Sequence, residues 1–275
     1  MIHGTTRLLG VIGDPVAHSR SPRMQNAALR EMGLDWAYVP LPVSAEQLEV
    51  ALRGLSALGF VGANVTVPHK EAVARLVDEL RPVAKASGSV NTIIIGDDGR
   101  LIGDSTDGPA IAAAIASEVG ERYVGPVIVL GAGGSARAAA AALAQDGCAV
   151  RIFARRFEAA AALARDLVET GDVVAVEELP DPVGEVVVHC TPVGALVDPE
   201  GMPLPASRLL DVRVVVDLAY RADATPTPLI TAAAETGCAV VDGLEVLARQ
   251  GARALELWTG IPAPLEVMLA AAREV

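Results

Sequence analysis

A short run of Val, Ile and Leu followed by an Ala-rich stretch recurs along this chain, and few folds accommodate that alternation. Strands this apolar need cover on both faces, and a helix after each strand supplies it, so the pattern predicts parallel βαβ layers. Residues 8–12 read as a first strand stopped by Gly13-Asp14-Pro15. Ser21-Pro22 then opens a helix through Met32, with Ser21 its natural N-cap and Gly33 at its end. Residues 38–41 and 62–67 read as strands, 46–58 and 69–80 as helices, and 90–95 with 100–102 as a hairpin about Gly96-Asp97-Asp98-Gly99.

A second cycle follows a helix at 109–119. Its strands fall at 127–130, 150–153, 186–189, 214–218 and 239–241, with helices at 136–145, 159–169 and 228–236 between them. Residues 244–274 read as helical, broken near Gly260-Ile261-Pro262. The change of cycle lies near 104–108. It predicts one α/β domain from 1–106 plus 241–275, with the terminal helices packing back on it, and a second from 107–240. At 52% hydrophobic and only 3% aromatic, the cores must be built from Ala, Val, Leu and Ile.

Charge and cysteine usage exclude several classes of function. A net charge of −12 argues against broad nucleic-acid binding, which needs a basic face. Cys148, Cys190 and Cys238 are far apart, without metal-site or disulfide spacing, which fits a reducing cytoplasm and no metal. No apolar run is long enough to cross a membrane.

The most informative corner is Val127-Ile128-Val129-Leu130 running into Gly131-Ala132-Gly133-Gly134-Ser135-Ala136. Glycines between a buried strand and a helix let backbone N–H groups approach a pyrophosphate, with Ala136 small enough for close helix–sheet packing. The alternative is a tight turn that binds nothing. The next strand ends Phe153-Ala154-Arg155-Arg156, with no acid to hold a ribose diol and two cations to attract a 2′-phosphate. That favours NADP over NAD, unless one arginine merely caps the following helix.

Twenty arginines accompany two lysines, Lys70 and Lys85. Lysine can release its proton near neutrality and arginine cannot, so Lys70 at the end of an apolar strand hints at proton chemistry. Thr66, Lys70, Asn91 and Asp107 each follow or end a strand, where an open sheet presents its crevice, although each could serve as a turn or cap. Ser19 and Ser21 at a helix start offer hydroxyls to a small carboxylate.

The segments Gly13-Asp14-Pro15-Val16-Ala17-His18-Ser19-Arg20-Ser21-Pro22, Asn64-Val65-Thr66-Val67-Pro68-His69-Lys70, Ser89-Val90-Asn91-Thr92 and Thr106-Asp107-Gly108 together resemble the shikimate dehydrogenase family. So do the Gly131 turn, Asp217-Leu218-Ala219-Tyr220 and Gln250-Gly251-Ala252. The resemblance spans the chain in order. It implies an NADP-dependent reductase of 3-dehydroshikimate to shikimate, in the route to chorismate and the aromatic amino acids. It further implies Lys70 and Asp107 as the catalytic pair. Ser19 and Ser21 would hold the substrate carboxylate, with Thr66, Asn91 and Gln250 on ring hydroxyls and Tyr220 lining the site. Gly131, Ala132, Gly133, Gly134, Ser135, Ala136, Arg155 and Arg156 would hold the cofactor. The expected partner is thus a small molecule, not nucleic acid or membrane, and the expected assembly a monomer or homodimer.

Four positions depart from the family pattern: Ser105 and Ala154 where Asn is usual, Arg156 where Thr or Ser is common, and Gln25 in place of a common His. The nearest rival is a quinate/shikimate dehydrogenase using NAD, which would carry an acid where Ala154-Arg155-Arg156 stands. A silent binding module that keeps the fold is a second, and the presence of both Lys70 and Asp107 speaks against it.

Overall fold

The computed structural model describes residues 2–274, which divide into two compact units, 2–106 with 247–274, and 107–246. The first unit begins with β1 (Arg7–Gly13), α1 (Ser21–Glu31), β2 (Trp36–Pro42), α2 (Leu48–Ala57), β3 (Phe60–Val65) and α3 (Lys70–Leu76). It continues with β4 (Glu79–Leu80), α4 (Pro82–Ser87), β5 (Thr92–Ile95) and β6 (Leu101–Asp104). The sheet order is β2-β1-β3-β5-β6-β4, parallel except that β5 runs against both neighbours in the expected hairpin.

Sequence expectation and structure differ at three places here. Ser21 is the first residue of α1, not its cap; Arg20 holds the N-cap position without a side-chain bond. The helix expected over 69–80 stops at Leu76, because the sheet edge captures the chain. Asp78 exchanges backbone and carboxylate bonds with Leu101 at 2.9 and 2.8 Å, and β4 pairs with β6. The short α4 has no counterpart in the sequence expectation; it starts on Pro82 and closes at left-handed Gly88.

The second unit holds α5 (Asp107–Val119), β7 (Pro126–Leu130), α6 (Gly134–Gln145), β8 (Ala149–Phe153), α7 (Phe157–Asp166) and β9 (Val173–Val176). Next come β10 (Val186–His189), β11 (Val214–Asp217), α8 (Pro228–Glu235) and β12 (Ala239–Val241). Its sheet is wholly parallel, ordered β12-β11-β10-β7-β8-β9. Counted from β7, this is the doubly wound order of dinucleotide-binding folds, which reverses between β7 and β10. Strand β9 was not anticipated. The pattern of the sequence is otherwise followed closely, since Val, Ile and Ala fill the cores on both faces of this sheet.

The chain ends in α9 (Gly243–Thr259) and α10 (Leu265–Arg273). From Ala248 to Trp258, α9 packs with α1 and α10 in one core of the first unit. Trp258 Nε1 donates to the Ile93 carbonyl at 2.9 Å, pinning the helix over the β3–β5 seam. Gly62 lies directly beneath, where an added Cβ would overlap both the Ile93 oxygen and the indole nitrogen. Gly62→Ala is therefore expected to cost about 1–3 kcal/mol, seen as a lower urea midpoint at unchanged slope.

Candidate active site

In the first unit the expected residues meet where strands end. Lys70 opens α3, half-buried, and its carbonyl accepts from Val90 N–H at 3.0 Å. Thr66, just past β3, donates its N–H to Ile12 O at 2.8 Å and accepts from His69 N–H at 3.0 Å. Asn91 is the hub. Its Nδ2 donates to Thr106 Oγ1 at 2.9 Å and to Gln250 Oε1 at 3.2 Å. Its Oδ1 accepts from Thr106 N–H at 2.8 Å and Thr92 Oγ1 at 3.0 Å. Gln250 is braced in turn by donating Nε2 to Leu247 O at 2.8 Å. A buried amide pair held this way has its rotamers set before any ligand arrives.

Ser19 and Ser21 join the same network from the opposite side. Ser19 Oγ accepts from the Ser21 N–H at 3.2 Å, so it satisfies one of the orphan donors at the start of α1. Ser21 hydrogen-bonds the Tyr38 hydroxyl, and Tyr38 donates to Asn64 Oδ1 at 2.7 Å. Burial pushes the Tyr38 hydroxyl well above the ordinary tyrosine range, so it stays a neutral donor. Asn64 Nδ2 completes the link to the Asn91 carbonyl at 3.1 Å and Thr92 Oγ1 at 3.2 Å. Tyr38, Asn64 and Thr106 are supporting residues that the sequence reading did not select. An Asn inside an otherwise apolar strand was the one available signal, because such a group must find partners.

Two of the departures from the family pattern coincide with unmet bonds. Among the described residues, Gln25 Oε1 and Ser105 Oγ are buried side-chain atoms without a hydrogen-bond partner. Gln25 spends its amide on the Gly251 carbonyl at 3.0 Å, while at Ser105 the backbone N–H donates to Asp104 Oδ1 at 2.8 Å.

In the second unit, Asp107 is buried in the first turn of α5, where the helix N-terminus favours its charge. Gly108 beside it has a packing reason: a Cβ there would sit 2.7 Å from that of Ala142 on α6. The corner after β7 has the geometry the glycines suggested. Gly131 has φ +123° and donates its N–H to Phe153 O at 2.8 Å. Gly133, the N-cap of α6, is exposed with no atom within 4 Å of where a Cβ would stand. Ala132, Gly134 and Ser135 are half-exposed at this mouth, while Ala136 is fully buried against the sheet. Open space at Gly133, at the start of a helix, leaves room for a phosphate to approach the backbone.

Arg155 and Arg156 are exposed beyond the tip of β8, and Arg156 takes the N-cap position of α7 without a capping bond. Among the described residues neither makes an ion pair, so both charges are available to a phosphate. Tyr220, half-buried after β11, lines a pocket with Arg221, Thr227, Ile230 and Asp242. Among the described residues no cluster could hold a metal ion, and no helix is long and apolar enough to cross a membrane.

Known proteins resemble the chain along its whole length. A family model described as shikimate dehydrogenase substrate binding domain matches residues 11–93, and one described as shikimate 5′-dehydrogenase C-terminal domain matches 243–273. Shikimate dehydrogenase (NADP(+)) of Anaeromyxobacter dehalogenans strain 2CP-1 is 48% identical, covering 96% of this chain and 95% of that protein. Shikimate 5-dehydrogenase of Thermus thermophilus, solved with NADP(H) and shikimate, superposes with a TM-score of 0.87 at 37% identity, covering 98% and 99%. Quinate dehydrogenase of Corynebacterium glutamicum, solved with NAD, gives 0.87 at 30%, covering 97% and 98%.

Proposed function

The chain belongs to the shikimate dehydrogenase family, and from that premise we propose that it reduces 3-dehydroshikimate reversibly to shikimate with NADPH. The observation that carries the reading is 48% identity over nearly the full length of an NADP-dependent relative. In this reading residues 107–240 carry the dinucleotide and residues 1–106 with 241–275 the substrate. The protein acts in the cytoplasm, in keeping with three free cysteines, as a monomer or homodimer.

The residues divide the work by chemistry. Ser19 and Ser21 hold the substrate carboxylate at the start of α1. Thr66, Asn91 and Gln250 bind ring hydroxyls, their amides already oriented, and Tyr220 lines the site. The cradle from Gly131 to Ala136 takes the pyrophosphate, and Arg155 and Arg156 take the 2′-phosphate. When bound, the cofactor supplies the hydride. Lys70 donates a proton to the ring oxygen as negative charge develops there, and takes it back in the oxidation. Asp107 is the second member of the catalytic pair.

Oxidation of shikimate followed by the absorbance of reduced nicotinamide, with NADP and NAD in parallel, tests this. Turnover with shikimate and NADP, far above that with NAD, is expected. No turnover of shikimate with either dinucleotide would reject it. A preference for quinate and NAD would support the rival suggested by the C. glutamicum likeness, against which the unopposed Arg155 and Arg156 beyond β8 stand.

A further inference from the structure

A buried polar network lies behind the mouth of the β7 crevice and has no part in the chemistry above. His189, the last residue of β10, and Asp217, the last of β11, are register partners, and both side chains are fully buried. The same register sets His189 beside Leu130, the residue before Gly131. His189 Nδ1 lies 2.8 Å from Asp217 Oδ1. The carboxylate also accepts from the Ala219 N–H at 2.9 Å and from the Thr227 hydroxyl at 2.5 Å. Both carboxylate oxygens thus meet donors, and the His189 Nδ1–H is the third of them. The group facing its other ring nitrogen, Nε2, at 2.5 Å is the Thr191 hydroxyl. The Thr191 oxygen also accepts from the Val193 N–H at 3.4 Å.

Thr191 is where this matters. A Cβ on Gly131 would stand 3.2 Å from Thr191 Cγ2 and 3.3 Å from the Cys190 carbonyl oxygen, so the segment after β10 forms the wall opposite the phosphate corner. The strand order reverses between β7 and β10, and ligands of such sheets enter at that reversal. We propose that His189, oriented by Asp217, is a positioning residue that holds the Thr191 wall in register with the Gly131 corner and so sets the affinity for the dinucleotide. It rests on the NADP reading above. It adds an unassigned buried residue that touches no ligand and acts through one hydrogen bond.

Two substitutions break that bond from either end. Thr191→Val keeps shape and leaves the His189–Asp217 pair intact. His189→Asn keeps a donor toward Asp217 and removes the ring nitrogen that meets Thr191. Each is expected to weaken NADPH binding three- to tenfold, read directly by quenching or enhancement of its fluorescence on titration into the full chain. KM for shikimate should move less than twofold. The double variant should be no weaker than either single one, since both remove the same bond, and Thr191→Ser should restore most of the affinity. Unchanged NADPH affinity in both single variants, or full additivity in the double, would overturn the proposal, even if their melting temperatures fell. Failure of the functional reading looks different: NADPH binds and the variants weaken it, yet the wild-type chain leaves shikimate unoxidised.

Discussion

Lys70→Ala is expected to lower kcat for shikimate oxidation by about 10²–10⁴-fold, the usual worth of a positioned proton donor. KM for shikimate should change far less, because in the proposed site substrate is held mainly by the hydroxyls and amides of Ser19, Ser21, Thr66, Asn91 and Gln250. The sharper version is Lys70→Arg. It keeps the positive charge and much of the reach, but a guanidinium does not surrender a proton near neutrality. If charge stabilisation alone mattered, the arginine variant would retain most of the rate. If proton transfer matters, it stays within about tenfold of the alanine variant. Lys70 is half-buried at the first position of a seven-residue helix, so both proteins should fold, and unchanged urea midpoints would confirm that. An arginine variant with near wild-type kcat would remove Lys70 from the role of general acid.

The paired substitution Arg155→Ala and Arg156→Ala is expected to raise KM for NADP by about a hundredfold. A hydrogen bond to a charged group is worth about 1.5–3 kcal/mol, and about 1.4 kcal/mol is tenfold, so each arginine accounts for roughly one to two decades and the hundredfold is the low end for the pair. KM for NAD, which lacks the phosphate, should stay within about twofold. Both side chains are exposed and carry no ion pair among the described residues, so stability should be unaffected. Steady-state kinetics with the two dinucleotides, at saturating shikimate, reads the effect as a loss of discrimination. An equal loss toward both cofactors would place the arginines elsewhere than at the 2′-phosphate.

Some of this architecture was legible because it is local. Strands 186–189 and 239–241 were placed to the residue, since a valine run bounded by polar or glycine-containing turns has only one way to satisfy burial and backbone pairing. The Gly131 corner was legible for the same reason: a strand, a cluster of glycines and an Ala-rich helix meet in consecutive residues. The failures were equally physical. Residues 77–80 follow a helical pattern but are drawn into the sheet by Asp78 and Leu101, a pairing no local window contains. Ser21 has every property of a cap, and yet the helix begins on it, because Ser19 takes the backbone N–H and Tyr38 takes the hydroxyl.

Periodicity, glycine placement and the ordered motifs thus carried the fold class, the dinucleotide corner and the family, since each depends on residues close together in the chain. Which side chains support one another did not follow from that order. Asn91 meets Gln250 across 159 residues, and His189 meets Asp217 only because β10 and β11 lie side by side in register. Burial compels such polar groups to pair, but the choice of partner belongs to strand order and helix docking, which bring distant segments within hydrogen-bond reach.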